Sequence, residues 1–99
     1  MISFIRTAAI APGKAAAASA FAAKILDYYK THYGTQLELM RPIGGNPSRI
    51  AWIGRYESLA AFDAVSLKSQ SDQKYLELIG SAADLFIAGS VHDEIWRSA

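Results

Sequence analysis

The chain reads as one α+β domain, residues 1–99, with its elements in the order β-α-β-β-α-β. Three observations predict this. Two strand-like stretches flank a glycine- and proline-rich turn in the middle of the chain. Helical three-and-four spacing of apolar residues occurs on either side of that pair. Short β-branched and aromatic runs open and close the sequence.

Ile2 to Ile10 is β-branched or aromatic in its first half and is stopped by Pro12-Gly13, so it reads as a strand. From Pro12 the residues become strong helix formers, and Pro itself suits a helix's first turn. Ala18, Phe21, Ala22, Ile25 and Tyr28 or Tyr29 share one face, and Gly34 is the expected left-handed cap. Between Gln36 and Arg41, Leu37 and Leu39 alternate with Glu38 and Met40, the mark of a half-buried strand. Pro42 to Pro47, with Gly44-Gly45-Asn46 inside it, is the strongest turn signal, and Arg49 to Tyr56 resumes as the second arm of a hairpin. Ser58 is the expected cap of a short helix carrying Leu59, Phe62 and Val65. Ser71 or Asp72 caps a longer one, with Tyr75, Leu78, Ile79, Ala82 and Phe86 on one face and Gly89 closing it. Val91 to Arg97 is the last strand.

This order is the split βαβ arrangement of ferredoxin-like folds. Right-handed crossovers place both helices on one side of a four-stranded antiparallel sheet, with the first and third strands central and the second and fourth at the edges. In the third strand Ile50, Trp52, Gly54 and Tyr56 point one way, Ala51 and Ile53 the other. Ala51 and Ile53 are small enough for close helix packing, which assigns Phe4, Arg6, Trp52 and Tyr56 to the face away from the helices. Such a face leaves several hundred Å² of apolar surface in water, more than a monomer normally tolerates. Covering it contributes roughly 10 kcal/mol before association costs, at about 25 cal/mol per Å². A second copy of the same sheet is the simplest cover, so a homodimer is expected.

Composition agrees and excludes several functions. The chain is 52% hydrophobic and 19% charged, with a net charge of +1. No basic stripe exists to capture nucleic acid. The absence of cysteine removes disulfides, thiolate nucleophiles and zinc–sulfur sites, and makes a cytoplasmic location the default. No signal peptide is expected from Met1 to Arg6, and no apolar run approaches the roughly 18 residues of a membrane span.

The reactive residues are few. His32, at the end of the first helix, has the position of a dipole-stabilising imidazole. His92 lies beside Asp93 and Glu94 on an edge strand with no Gly-x-Ser-x-Gly elbow in the chain, which argues against a hydrolase. His92 and Glu94 share a strand face but lack a third metal ligand. Gly13-Lys14 has neither the upstream glycine nor the following Ser or Thr of a phosphate loop. RNA-recognition motifs share the element order, yet Arg49 to Tyr56 lacks their early glycine and aromatic.

Two stretches carry a family resemblance. Phe4 to Lys14, a strand ending in Arg-Thr followed by Pro-Gly-Lys, resembles the opening of NIPSNAP-like domains. Arg49 to Ser58, running on through Leu-Ala-Ala-Phe, is similar to their third strand and second helix, with the Gly-Gly before it also typical. Gly54 departs from the pattern, since an aromatic residue often stands there; it either enlarges a cavity or relieves packing. The resemblance implies a dimeric α+β barrel whose two sheets face each other around a cavity, and it implies no assigned chemistry. Haem-degrading relatives of that group use a helical histidine with an Asn and a Trp nearby, whereas here Trp52 is on a strand, Asn46 is in a turn and the second half has no helical histidine. The site expected from these residues is a cavity holding a small aromatic or acidic molecule without a cofactor or metal. Its candidate ligand-binding residues are Phe4, Arg6, Trp52, Tyr56 and His92. A cofactor-independent monooxygenase and a non-catalytic dimerisation module are the alternatives, and an Arg6 pairing with Glu38 or Glu94 would support the module.

Overall fold

A computed structural model describes all 99 residues. Strand β1 (Ile2–Ala9) leads into helix α1 (Ala15–Tyr28), whose last turn widens into a π turn at Tyr29–Tyr33. Strands β2 (Glu38–Met40) and β3 (Arg49–Tyr56) form the hairpin. Helices α2 (Leu59–Gln70) and α3 (Gln73–Gly80) and a short 3₁₀ turn (Ala83–Leu85) precede strand β4 (His92–Arg97). The sheet order is β2-β3-β1-β4 and every pairing is antiparallel, so β1 and β3 are central as expected. No helix is long and apolar enough to cross a membrane.

Local chemistry accounts for most boundaries. Gly34 ends the π turn in the left-handed conformation, at φ 66°, which costs glycine nothing. Ser58 caps α2 by accepting a hydrogen bond from the Ala61 N–H, and Asp72 caps α3 by accepting one from Tyr75.

Two expectations about the second half are corrected. The first of its helices is the longer one, twelve residues against eight, and Phe86 is extended rather than helical. Gly80 weakens the helix, and the chain beyond it is claimed by the sheet. Ala11 donates to the Leu85 carbonyl, Ile87 donates to the Ala9 carbonyl, and Ile10 and Phe86 form a β-bridge. These tertiary bonds prevail over the apolar spacing that suggested a continuous helix.

The larger correction concerns the sheet's faces. Burial along β3 alternates strictly, with Ile50, Trp52, Gly54 and Tyr56 buried and the residues between them more exposed. The buried set faces the helices: Trp52 packs edge-on against Phe21 of α1, and Tyr56 and Phe4 pack on Phe62 of α2. Phe4, Arg6, Trp52 and Tyr56 therefore lie beneath the helices, not on the open face. Volume explains this. The helix side contributes alanines at its closest approach, Ala18, Ala22 and Ala82, so the sheet must supply the bulky partners that fill the layer. The open face carries Ser3, Ile5 and Thr7 of β1, Ala51 and Ile53 of β3, and His92, Glu94 and Trp96 of β4.

Gly54 serves that packing. A Cβ there would lie 3.0 Å from Leu37 and from the Tyr56 ring, so the missing side chain is space already occupied and does not enlarge a cavity. Gly54→Ala is expected to cost about 1–3 kcal/mol through overpacking, read as a lower urea midpoint with an unchanged slope.

Candidate functional site

Between the helix-covered side of the sheet, α1, α3 and the segment after it lies a cavity of about 260 Å³. Phe4, Arg6, Trp52 and Tyr56 all line it, and Tyr29 and Tyr75 join them. Sixteen of its eighteen lining residues are hydrophobic, and Arg6 alone is charged. Trp52 forms part of the wall from β3, held by Phe21 and Phe86 at ring distances of 6.5 and 5.9 Å. Its indole Nε1–H is buried and meets no acceptor.

Arg6 is engaged. Its Nε and Nη2 donate to the two carboxylate oxygens of Asp93 at 2.7 and 2.9 Å, a bidentate pair made possible by the register that sets these residues opposite each other. The hydrogen bond to Asp93 raises the Arg6 pKa further, against the opposing effect of burial. The guanidinium carbon also lies 5.6 Å from the centre of the Phe4 ring. The expected carboxylate partners, Glu38 and Glu94, are both on the other face. Glu38 pairs with Arg55 at 2.8 Å.

His92 does not join the site. It lies on the open face, with its Nε2 3.1 Å from Glu94, which also accepts a 2.8 Å bond from the Trp96 indole. The alternation of β4 separates His92 from Asp93, which turns inward to Arg6. No three His, Asp or Glu side chains converge as metal ligands. His32 is exposed and stacks on Tyr28 at 4.0 Å.

A tyrosine cluster at one end of the cavity escaped the sequence reading. Tyr28 and Tyr33 both donate to Asp72 Oδ2, at 2.7 and 2.8 Å, while the Tyr29 and Tyr75 hydroxyls approach to 3.4 Å. Burial, with the bond to Asp72, pushes the Tyr28 hydroxyl up to about 12 and raises Tyr33 as well. Burial also raises Tyr75, so that hydroxyl is a neutral donor across the ordinary pH range. Asp72 in turn is held below the usual carboxylate range, first by its bonds from Tyr28 and Tyr33. Tyr28, Tyr29 and Tyr75 were legible only as apolar-face residues. Nothing in the spacing relates residues 28–33 to residues 72–75.

The depressed Asp72 pKa carries a sign. Its stabilisation is complete above the unfolded carboxylate pKa and is lost as pH falls toward the folded value. Asp72→Asn keeps a capping oxygen but loses the charge. The melting-temperature advantage of the wild type over this variant is expected to be constant near neutrality and to narrow below about pH 4.

No protein-family model matches the chain, and no curated protein matches it. Solved structures match along its whole length. A NIPSNAP family protein with unknown function from Agrobacterium tumefaciens superposes with a TM-score of 0.82 at 20% identity, covering 100% of this chain and 88% of that one. An uncharacterized NIPSNAP domain protein from Burkholderia xenovorans gives 0.83 at 14% identity, covering 100% and 95%. A putative antibiotic biosynthesis monooxygenase from Deinococcus radiodurans gives 0.75 at 11%, covering 100% and 93%. The chain thus has the ferredoxin-like α+β fold that NIPSNAP family proteins and monooxygenase-like proteins share, and this likeness speaks to the fold alone.

Proposed function

We propose that this chain works as a homodimer in which each protomer binds one small, uncharged aromatic molecule between its sheet and its helices. The observation that carries the reading is the cavity: an open, almost wholly apolar space of ligand size whose only cation is already neutralised by Asp93. Of the aromatic and acidic guests that the sequence suggested, the pairing favours the first. An acid would gain no uncompensated cation and would set its carboxylate beside that of Asp93.

The open sheet face supports the dimer. The chain exposes 6309 Å², where a folded monomer of its mass exposes about 5,500 Å². The excess, roughly 800 Å², is surface of the whole chain, to which this uncovered face contributes. Ile5 and Ile53 sit opposite each other at the middle of that face, with Met40 and Trp96 exposed toward its edges.

Binding is favoured over catalysis by the lining itself. The cavity's titratable residues are Arg6 and three tyrosines, and burial keeps Tyr56 and Tyr75 protonated. None is a base that would take a proton from a bound ring.

The test is a thermal-shift series of neutral phenols against the matching aryl carboxylates, with light scattering on the same samples. Neutral aromatics at a hundredfold excess over their dissociation constant are expected to stabilise the protein by about 2.7 kcal/mol, with the acids far weaker. Scattering is expected to give twice the 10.7 kDa chain mass. Absence of any aromatic shift defeats the ligand reading, and a monomer at micromolar concentration defeats the dimer. Oxygen uptake with a bound quinol would instead point to a monooxygenase.

A further inference from the structure

The apolar cavity is not closed at the Arg6 end. A second chamber of about 420 Å³ adjoins it, and Phe4, Arg6, Tyr29, Tyr56, Tyr75 and Ile79 border both. Beyond those shared residues the chemistry changes. The second chamber is bounded by α2 and by Asp93 and Ile95 of β4, and Ser66, Ser69 and Gln70 enter its wall.

The hydrogen bonds among these polar groups leave capacity for a guest. Ser69 Oγ donates to the Ser66 carbonyl at 2.9 Å, and Gln70 Nε2 donates to Ser66 Oγ at 3.2 Å. The Ser66 hydroxyl hydrogen and the Gln70 side-chain carbonyl are therefore free of protein partners, one a donor and the other an acceptor. The two charges on this wall, Arg6 and Asp93, satisfy each other.

We infer that the two chambers form one site for an uncharged amphiphile, with an apolar ring in the inner chamber and a hydroxyl- or amide-bearing head in the outer one. The inference rests on the inner cavity being a ligand site, and adds to it the second chamber and the class of molecule that spans both. A carboxylate head would compete with Asp93 for Arg6, and an ammonium head would compete with Arg6 for Asp93. The pair has no net charge to offer, and either head would lie beside the like charge of its partner. A neutral head breaks nothing and meets the donor and acceptor left open on α2.

Titration calorimetry with three probes tests this: 2-naphthol, 2-(2-naphthyloxy)ethanol and 2-naphthyloxyacetic acid. On the wild type the alcohol is expected to bind about tenfold more tightly than naphthol, the gain of hydrogen bonding in the outer chamber, and the acid more weakly than the alcohol. Val65 lines the outer chamber and not the inner one, so Val65→Trp should fill the outer chamber, bring the alcohol to the level of naphthol and leave naphthol itself unchanged. Ser66→Ala combined with Gln70→Ala, which adds no bulk, should remove most of the same gain. Naphthol binding with no gain for the alcohol, or a gain that survives both variants, overturns the second chamber and spares the inner one. Failure of both naphthol and the alcohol to bind overturns the inner-cavity reading and this inference with it. Tightest binding by the acid overturns the requirement for an uncharged head.

Discussion

Trp52→Ala is expected to lower the free energy of unfolding by about 3–5 kcal/mol, a large part of what holds a domain of this size together. Trp52 is 8% exposed and packs on Phe21 of α1 and on Phe86 of the segment that bridges Ile10. Its removal therefore loosens three elements at once and merges the vacated volume with the cavity. Trp52→Phe separates packing from polarity. That variant loses contact area but also removes the buried Nε1–H that finds no acceptor, and the relief of an unsatisfied donor is worth about 1–3 kcal/mol. The two effects offset, and Trp52→Phe is expected to fall within about 1 kcal/mol of the wild type. Urea unfolding followed by far-ultraviolet circular dichroism measures both. A Phe variant as damaged as the Ala variant would mean that the indole donor is satisfied in solution.

Ile53→Asp is expected to turn a dimer into a folded monomer. Ile53 lies on the open face opposite Ile5 and is only partly buried in the single chain, so a carboxylate there remains in water in the monomer. In a dimer joined through this face, two-fold symmetry would bury a pair of like charges, each beside Glu38, which already engages Arg55, at a cost of several kcal/mol. The dissociation constant should rise at least a hundredfold, about 2.7 kcal/mol. Sedimentation velocity across a concentration series reads this directly, with circular dichroism showing that the fold is kept. A variant that sediments like the wild type would place the interface elsewhere.

Both predictions depend on the facing of the sheet, and this is where the sequence was hardest to read. The boundaries were open to inspection because they follow from local rules. Arg49–Tyr56 is a strand between turn residues, Ser58 and Asp72 cap the helices, and Gly34 takes the left-handed ending. Facing is not local. Both parities of β1 and β3 carry apolar residues, and the choice between them rests on how much volume the helices bring. Small strand residues suggest close helix packing, whereas the alanines of α1 require the opposite. One signal did exist. The even positions of β3 are Ile50, Trp52, Gly54 and Tyr56, while the odd ones include Arg49 and Arg55, and a solvent-side parity is where two arginines belong.

For the site, the group Phe4, Arg6, Trp52 and Tyr56 was legible as a set because parity alone brings it together, whichever side it faces. His92 was misplaced because its strand's parity is set by the register with β1, which pairs it with Thr7 and pairs Asp93 with Arg6. The tyrosines were not legible as a cluster. Their meeting needs the end of α1 to reach the start of α3 and needs the helix to widen at Tyr29.

That widening has an evolutionary reading. A π turn holds one residue more than the α turn it replaces, so Tyr29–Tyr33 has the form of a single-residue insertion retained in α1. Deleting Thr31 would restore α-helical spacing and rotate everything beyond it by about 100°. Tyr33 would then leave Asp72. The hydroxyl cluster on Asp72 could thus be remodelled by the gain or loss of one codon, with no change in the residues of β1 and β3 that line the cavity.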